Sequence, residues 1–265
     1  MSRDLTDEER LLQATTREFA QREVAPGAIE RDEAERYDRS LFAAIGELGL
    51  TAAPFAESVG GAGFSYLAWT LVMEELGAAD MAMAVSLSVH VLSQYPVVTW
   101  GTDEQRARWL PAMQSGEALG AFALTEPHAG SDAAAIRLRA ERVGENYRLD
   151  GTKIWISNAP EADRYLVFAT IDPAAGARGI TAFLVEKGMA GFRFGAHERK
   201  MGIRACPAAE LIFEGCEVPA GNRLGGEGEG YRIALSALGE GRISIAAACV
   251  GLARSGLEAA ARFLG

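Results

Sequence analysis

The stretch Ala121-Phe-Ala-Leu-Thr-Glu-Pro-His-Ala-Gly-Ser-Asp132 decides how the rest of the chain is interpreted. Apolar residues alternate with small ones through Phe122 and Leu124, which predicts a half-buried strand, and Thr125 then places a hydrogen-bonding group at its end. Beyond it, Gly130 permits a turn with positive φ. Polar groups at the mouth of a sheet suit a flat, polar-edged ring with a phosphate tail, although an ordinary connection from strand to loop has the same pattern.

Length, composition and charge indicate a globular protein with a sizeable core. The chain has 265 residues, of which 49% are hydrophobic and 23% charged, so it is long enough for two domains. The formal net charge of −10 argues against nucleic acid and anionic membranes as partners, because both favour dense positive charge. A phosphate-bearing ligand would then depend on local N–H groups and single arginines.

Neither a membrane span nor a leader sequence is predicted. The longest apolar region, from Met81 to Val91, is interrupted by Ser86, Ser88 and His90 and is shorter than the roughly 20 residues of a spanning helix. The start of the chain is acidic and polar, unlike a signal or transit peptide. We therefore expect a cytoplasmic protein.

Cysteine and histidine residues are few and scattered along the chain. They are Cys206, Cys216, Cys249, His90, His128 and His197. The three cysteines form no CxxC pair, and the histidines form no HExxH motif, so neither a disulfide framework nor a metal site is predicted. We interpret the cysteines as small buried hydrophobic residues and His90 as a core histidine with its hydrogen bonds satisfied.

The first part of the chain has helical periodicity. Thr6 with Glu9 has the spacing of a capping box, and Thr102 with a glutamine three residues later repeats it. Between these two starts, residues 80–92 are small and apolar on every side, which predicts a central buried helix. Pro96 is expected to begin a separate short helix.

After residue 119 the pattern changes to alternation with frequent turn signals, which predicts β structure. Asp150-Gly151 lies between two alternating arms and is typical of a type I′ hairpin turn. The β region is expected to end near Leu224, and residues 231–264 return to an apolar helical pattern. We therefore divide the chain into a helical domain (1–117), a β domain (118–225) and the start of a second helical domain (226–265).

Four motifs in the same order resemble those of the acyl-CoA dehydrogenase family. They are Leu124-Thr-Glu-Pro-His-Ala-Gly-Ser-Asp132, Trp155-Ile-Ser157, Lys200-Met-Gly-Ile-Arg204 and Gly239-Glu-Gly-Arg242. The resemblance implies an α+β fold with an all-helical N-terminal domain, an antiparallel β barrel or sandwich as middle domain, and a C-terminal helical domain. Of this last domain we expect the chain to contain only the first helix.

The resemblance also implies FAD as cofactor, and the reaction requires a flavin because no side chain accepts a hydride. No GxGxxG follows a strand, so a Rossmann-type FAD or NAD site is not supported, whereas a flavin that lies on the β domain needs only donors at the strand ends. The residues implied in cofactor binding are Phe122, Leu124, Thr125, Gly130, Ser131, Trp155, Ile156 and Ser157. Trp155 would cover the flavin ring and the Ser157 hydroxyl would lie near its N5 edge. Ser131 and Arg242 would contact the substrate. Taken singly, each residue also suits a structural role.

The implied reaction is α,β-dehydrogenation of an acyl-CoA thioester to the trans-2-enoyl-CoA, with electron-transfer flavoprotein as the electron acceptor. The implied assembly is a homo-oligomer, which is a homotetramer in this family. The general base is a carboxylate that most members carry in the C-terminal domain, so we expect the catalytic glutamate to be absent. A minority carries it at the position of Gly241. Glu240 lies about 100° away on the helix and is a weak candidate.

Two other functions remain open from the sequence. One is a non-catalytic fragment or binding module, because the chain is expected to lack the base. The other is an acyl-CoA oxidase or a related flavin monooxygenase, in which oxygen replaces the flavoprotein acceptor.

Overall fold

The structure is a computed structural model that describes residues 4–265. Residues 1–3, which belong to the polar start used to predict the absence of a leader, lie outside the described residues. The helices are α1 (Asp7–Phe19), α2 (Ala28–Glu33), α3 (Arg39–Glu47), α4 (Tyr66–Ala79), α5 (Met81–Trp100), α6 (Asp103–Gln114) and α7 (Gly230–Leu264). Helix α1 continues through a π-helical turn, Ala20–Val24.

Local capping explains where the N-terminal helices begin. Thr6 and Glu9 form the reciprocal capping box predicted for α1, and Thr102 and Gln105 form the one predicted for α6. The prediction for Pro96 was wrong, because α5 continues through it to Trp100. Tertiary packing of the residues around the proline outweighs its cost of roughly 3 kcal/mol in a helix interior.

The strands form one eight-stranded sheet. They are β1 (Gly120–Ala123), β2 (Arg139–Val143), β3 (Asn146–Ser157), β4 (Arg164–Thr170), β5 (Ile180–Glu186), β6 (Phe192–His197), β7 (Ala208–Pro219) and β8 (Arg223–Leu224). The order is β6-β7-β3-β2-β4-β5-β8, and β1 pairs with β4. The mixed α+β architecture is confirmed, but the sheet is not wholly antiparallel, since β1 runs parallel to β4 and β2 shares one parallel bridge with it.

The hairpin turn predicted at Asp150-Gly151 was placed wrongly. The turn between β2 and β3 lies at Gly144 and Glu145, whereas Gly151 sits inside β3 at a register shift against β7. A Cβ on Gly151 would stand 3.0 Å from the Cα of Leu138, so a close backbone contact, rather than a turn, requires the glycine.

Two apolar clusters cover the two faces of the sheet around β1. Ala121 and Ala123 belong to one cluster, and Phe122 belongs to the other, where its ring centroid lies 5.0 Å from that of Phe168. All four residues of β1 are therefore buried, whereas the alternation had predicted a half-buried strand. A strand covered on both sides is a rigid support for the residues at its end.

Helix α7 lies so close to α4 that only glycine fits at the contact. A Cβ on Gly251 would stand 1.8 Å from the carbonyl oxygen of Glu74. Arg254 and Arg17 both bind the buried Glu75 carboxylate, with N–O distances of 2.9 and 2.7 Å. Although burial raises the pKa of Glu75, the two guanidinium groups outweigh it and lower this pKa. The helix is thus fixed to α4 by both shape and charge.

Two helices of the described chain are long and apolar enough to cross a membrane, Met81–Trp100 and Gly230–Leu264. The first is longer than the apolar run from which we predicted no span. The most apolar window of α5 is 67% buried inside the protein, and that of α7 is 28% buried. Since core helices have the same composition, this is weak evidence for a membrane protein.

Candidate active site

The ends of β1 and β3 meet at one place. The Ile154 N–H donates to the Thr125 carbonyl across 3.0 Å, so the first motif is hydrogen-bonded to the residue just before the second motif. The chain then turns back at Glu126, whose N–H and carbonyl exchange 3.0 Å bonds with Ala129. The structure therefore brings Thr125 beside the segment that carries Trp155 and Ser157.

A buried ion pair holds this loop. Lys153 is fully buried, and its ammonium lies 2.7 Å from a Glu126 carboxylate oxygen and 2.9 Å from the Leu124 carbonyl oxygen. Glu126 also accepts from the N–H groups of Arg137 (2.6 Å) and Leu138 (2.9 Å), so its carboxylate has a structural role in this loop. Burial lowers the pKa of Lys153 to about 8, with Glu126 opposing the shift, so the ammonium is protonated at pH 7.

Trp155 is turned out of the sheet by an irregularity in β3. The register with β7 shifts between Lys153 and Ile156, and Trp155 has a φ of 59°. Its side chain is 56% exposed, which is unusual for an indole next to a core strand. The bulge therefore presents an apolar ring at the site.

Three hydroxyl groups at this site have no hydrogen-bond partner among the described residues. They belong to Thr125 and Ser157, which are half-buried, and to the exposed Ser131. The N–H groups of Thr125 and Ser131 are also without a partner in residues 4–265. Hydroxyl and N–H groups that are free in this way can donate to a ligand with acceptor atoms along its edge, as a flavin has.

Asn158 connects the end of β3 to two other elements. Its side-chain amide donates to the Ser86 carbonyl (3.0 Å) in α5 and to the Gly120 carbonyl (2.9 Å) in β1. The side chain is buried, and the residue has a φ of 70°. This side chain therefore fixes the position of Ser157 relative to both the helix and the strand.

Three predicted cofactor residues have buried side chains. Phe122 (9% exposed) and Leu124 (7%) pack in one apolar cluster, and Ile156 (2%) packs in the other. The side chain of Ile156 faces the core rather than the site, because the bulge turns only its neighbour outward. A ligand would meet Ile156 through its main chain.

The turn that follows β1 differs in one respect from the prediction. Gly130 is exposed and has space around a built Cβ, but its φ is not positive. His128 lies at the tip of the turn, with its Nε2 3.4 Å from a Glu126 carboxylate oxygen. The bonds between Glu126 and Ala129 close the turn, so it needs no left-handed glycine.

A small cavity lies between α4, α5 and α7. Its volume is about 90 Å³, and its apolar wall includes Phe55, Val91 and Leu92. Gly241 closes one side, where a built Cβ would lie 3.2 Å from a Leu92 methyl group. Polar groups also reach it, because Ser88 lines the cavity with a hydroxyl that has no partner among the described residues.

Glu240 and Arg242 lie on the first half of α7. Glu240, the weak candidate for the base, is half-buried and is the only acidic residue that lines this cavity in the described chain. The Tyr66 hydroxyl donates to its main-chain carbonyl across 3.0 Å. Arg242 is exposed and has no ion pair within residues 4–265, so its charge is available to a ligand.

The remaining predicted features lie away from this site or are buried. His90 is the satisfied core histidine we predicted, with its ring nitrogens 2.9 Å from the Met113 carbonyl oxygen and 3.0 Å from the Gly120 nitrogen. Cys206 and Cys216 are buried, but Cys249 is exposed on α7, which corrects our interpretation of the cysteines. No group of three metal-ligating side chains occurs in the described residues.

Sequence reasoning missed Lys153. The signal was present, because Lys153 is in phase with the inward-facing Tyr147 and Leu149 of β3, and a lysine at an inward position requires a partner. The partner, Glu126, lies 27 residues earlier in the chain, and the sequence analysis did not match it to a cation.

Comparisons with known proteins agree with this geometry. Family models described as the acyl-CoA dehydrogenase N-terminal and middle domains match residues 6–117 and 121–216. The short-chain specific acyl-CoA dehydrogenase of Clostridium acetobutylicum is 40% identical over 100% of this chain and 70% of its own length. Butyryl-CoA dehydrogenase from Megasphaera elsdenii has a solved structure that is 39% identical, with a TM-score of 0.95 over 99% of this chain and 70% of that one.

A further solved chain comes from work on the electron transferring flavoprotein of Acidaminococcus fermentans. It is 44% identical, with a TM-score of 0.96, and the match covers 99% of this chain and 69% of that chain. The fold and these relatives define a flavoenzyme built from a helical and a β domain. The chain belongs to the acyl-CoA dehydrogenase family. It spans roughly two thirds of the length of its relatives, 67% for one from Bacillus subtilis.

Proposed function

We propose that this chain is the FAD-binding part of an enzyme that dehydrogenates a short acyl-CoA thioester between its α and β carbons, giving the trans-2-enoyl-CoA. The observation that carries the proposal is the set of unpartnered hydroxyl groups of Thr125 and Ser157 beside the exposed indole of Trp155. A glutaryl-CoA dehydrogenase from Mycobacterium smegmatis, 34% identical, is known in complex with FADH2, which supports FAD as the flavin.

The residues of this chain would hold the cofactor through strand-end donors. When bound, FAD supplies the hydride acceptor that no side chain provides. Thr125 and Ser157 offer hydrogen bonds to the ring edge, and the indole of Trp155 excludes water from the ring face. Ser131, in the loop after β1, offers its N–H and hydroxyl to a phosphate or to the pantetheine of the substrate.

The cavity between α4, α5 and α7 supports a short acyl group. Its volume is about 90 Å³, whereas an apolar cavity of about 150 Å³ holds benzene, which has six carbons. Roughly four carbons therefore fit. Arg242 at the start of α7 is exposed and is proposed to pair with the anionic CoA moiety.

Removal of the α-proton requires a carboxylate. Gly241, at the position where a minority of the family carries the base, has none, and Glu240 is the candidate that the cavity wall supplies. The Glu240→Gln variant should keep FAD and enoyl-CoA binding but lose reduction of the flavin by acyl-CoA. If reduction continues at the wild-type rate, the base lies elsewhere in the enzyme.

The partners are proposed on the same basis. An electron-transfer flavoprotein is the proposed acceptor, in line with the Acidaminococcus relative. A homo-oligomer is proposed because large apolar side chains of α7, among them Leu257 and Phe263, are exposed in the described chain. We also propose that the protein is cytoplasmic.

The visible spectrum of the purified chain tests the function. A yellow protein that is bleached by butyryl-CoA in the absence of oxygen supports the proposed function. The matched variant for comparison is Ser157→Ala, which removes one proposed flavin donor. A colourless protein that takes up no FAD would contradict the proposal. Bleaching followed by rapid release of peroxide in air would instead indicate an oxidase.

A further inference from the structure

Lys153 makes a second contact in addition to its ion pair with Glu126. Its ammonium is bound not only to Glu126 (2.7 Å) but also to the carbonyl oxygen of Leu124 (2.9 Å), the residue just before Thr125. The lysine is fully buried, so both contacts are shielded from water. A charge-assisted bond to a carbonyl in such surroundings is stronger than a neutral one.

The peptide unit that accepts this bond also contains the Thr125 N–H. In a trans peptide the carbonyl and the following N–H lie in one plane and point in opposite directions. Lys153 therefore occupies the carbonyl side of the unit. The Thr125 N–H is directed away from the lysine and has no partner among residues 4–265.

A cation at the carbonyl oxygen changes the N–H in two ways. It fixes the orientation of the peptide plane, and it draws electron density toward the oxygen, which makes the N–H a stronger donor. The carbonyl of Thr125 is fixed as well, since it accepts from Ile154. Both peptide planes that flank Thr125 are thus held before any ligand binds.

We propose that Lys153 is a positioning residue that aims and polarises the Thr125 N–H as a donor to the bound flavin, and that it thereby favours the reduced cofactor over the oxidised one. This inference rests on the proposed function, because it concerns the flavin that the function requires. Reduced flavin carries more negative charge at its ring edge, so a strengthened donor stabilises it more than the oxidised form.

The experiment compares the wild type with the double variant E126Q/K153M in the full chain. The glutamine at position 126 keeps one oxygen for the N–H groups of Arg137 and Leu138, which bond to two different oxygens in the wild type, and removal of both charges together leaves no buried carboxylate without a cation. The matched control is K187M, since the exposed Lys187 also donates to a carbonyl, that of Pro160 at 2.8 Å. The readouts are the dissociation constant of FAD and the two-electron reduction potential, with circular dichroism to show that each variant is folded.

The expected result is a selective loss in the double variant. Its affinity for reduced flavin should fall about tenfold more than that for oxidised flavin, which lowers the potential by about 30 mV for a two-electron couple. K187M should keep the wild-type ratio of the two affinities, whereas the single variant E126Q should lose part of it, because Glu126 is the group that raises the pKa of the buried Lys153 and keeps it charged. Hydrogen exchange provides a second readout, because the peptide that contains Thr125 should be protected by FAD in the wild type and less so in the double variant.

Each outcome separates this inference from the proposed function. If the wild type binds no FAD, the proposed function fails. If the wild type binds FAD and the folded double variant has the same potential and the same protection, the role of Lys153 is refuted. Should E126Q/K153M not fold, E126Q/K153Q replaces it, because glutamine keeps a neutral donor without the charge, and an unchanged potential would again refute the role.

Discussion

Shortening Leu92 to alanine should lengthen the acyl group that the protein prefers. Leu92 closes the cavity against α7, with one methyl group 3.2 Å from the place where a Cβ on Gly241 would stand. The substitution removes three carbons from this wall. We expect the Leu92→Ala variant to accept about three more methylene groups than the wild type.

The size of the effect follows from the buried apolar area. Each methylene group that enters an apolar site gains about 0.8 kcal/mol, so three would gain about 2.4 kcal/mol. At about 1.4 kcal/mol per factor of ten, this is a change of roughly 50-fold in relative affinity. Since Leu92 is itself only partly buried, some of the new space is open to water, and we expect a change of about 10- to 50-fold.

Binding of product analogues measures this without turnover. The dissociation constants of trans-2-butenoyl-CoA and trans-2-heptenoyl-CoA, which differ by three methylene groups, are compared by titration calorimetry on the FAD-loaded protein. Leu67→Ala is the matched control, because Leu67 lies on α4, is 38% exposed and does not line the cavity. An unchanged preference in a folded Leu92→Ala variant would refute the assignment of this cavity to the acyl group.

Three further predictions concern stability and CoA binding. Gly251→Ala should destabilise the protein by about 1–3 kcal/mol or more in urea unfolding, because its Cβ would overlap a carbonyl of α4, whereas Gly256→Ala, with open space around it, should not. Burial lowers the pKa of His90 from 6.5 to about 3. As the pH falls below 6.5, the unfolded state therefore binds a proton that the folded state does not, and the free energy of unfolding should fall by about 1.4 kcal/mol per pH unit. His90→Gln should remove this contribution to the pH dependence of the free energy of unfolding. An equal pH dependence in the wild type and the variant would contradict the prediction. Arg242→Ala should weaken binding of CoA esters severalfold without a change in melting temperature, while Arg262→Ala, another exposed arginine on the same helix, should leave binding unchanged.

Local signals predicted the parts of the fold that depend on local contacts. The capping boxes at Thr6 and Thr102 form because each needs only a side chain and an N–H three residues away. The errors fell where distant parts of the chain decide the structure. Helix α5 continues through Pro96, and Gly151 lies within a strand, because packing against other elements outweighs the local preference.

The arrangement of the candidate site could not be read from the sequence motifs. The motifs indicated that Thr125 and Trp155 belong to one site, and the Ile154 hydrogen bond makes them neighbours. Which side chains face the site could not be predicted, because the bulge in β3 that exposes Trp155 and buries Ile156 has no signature in the alternation. The pairing of Lys153 with Glu126 joins residues on two different segments, and sequence spacing alone does not show it.

Asn158 has a mechanical consequence for the protein as a catalyst. Because one buried amide joins the α5 backbone at Ser86 to the β1 backbone at Gly120, and the Gly120 N–H also donates to the His90 ring of α5, the helix that lines the cavity and the strand that leads to Thr125 are braced together. Under the proposed function, a displacement of α5 by a bulky acyl group would therefore also move the strand that leads to the flavin edge.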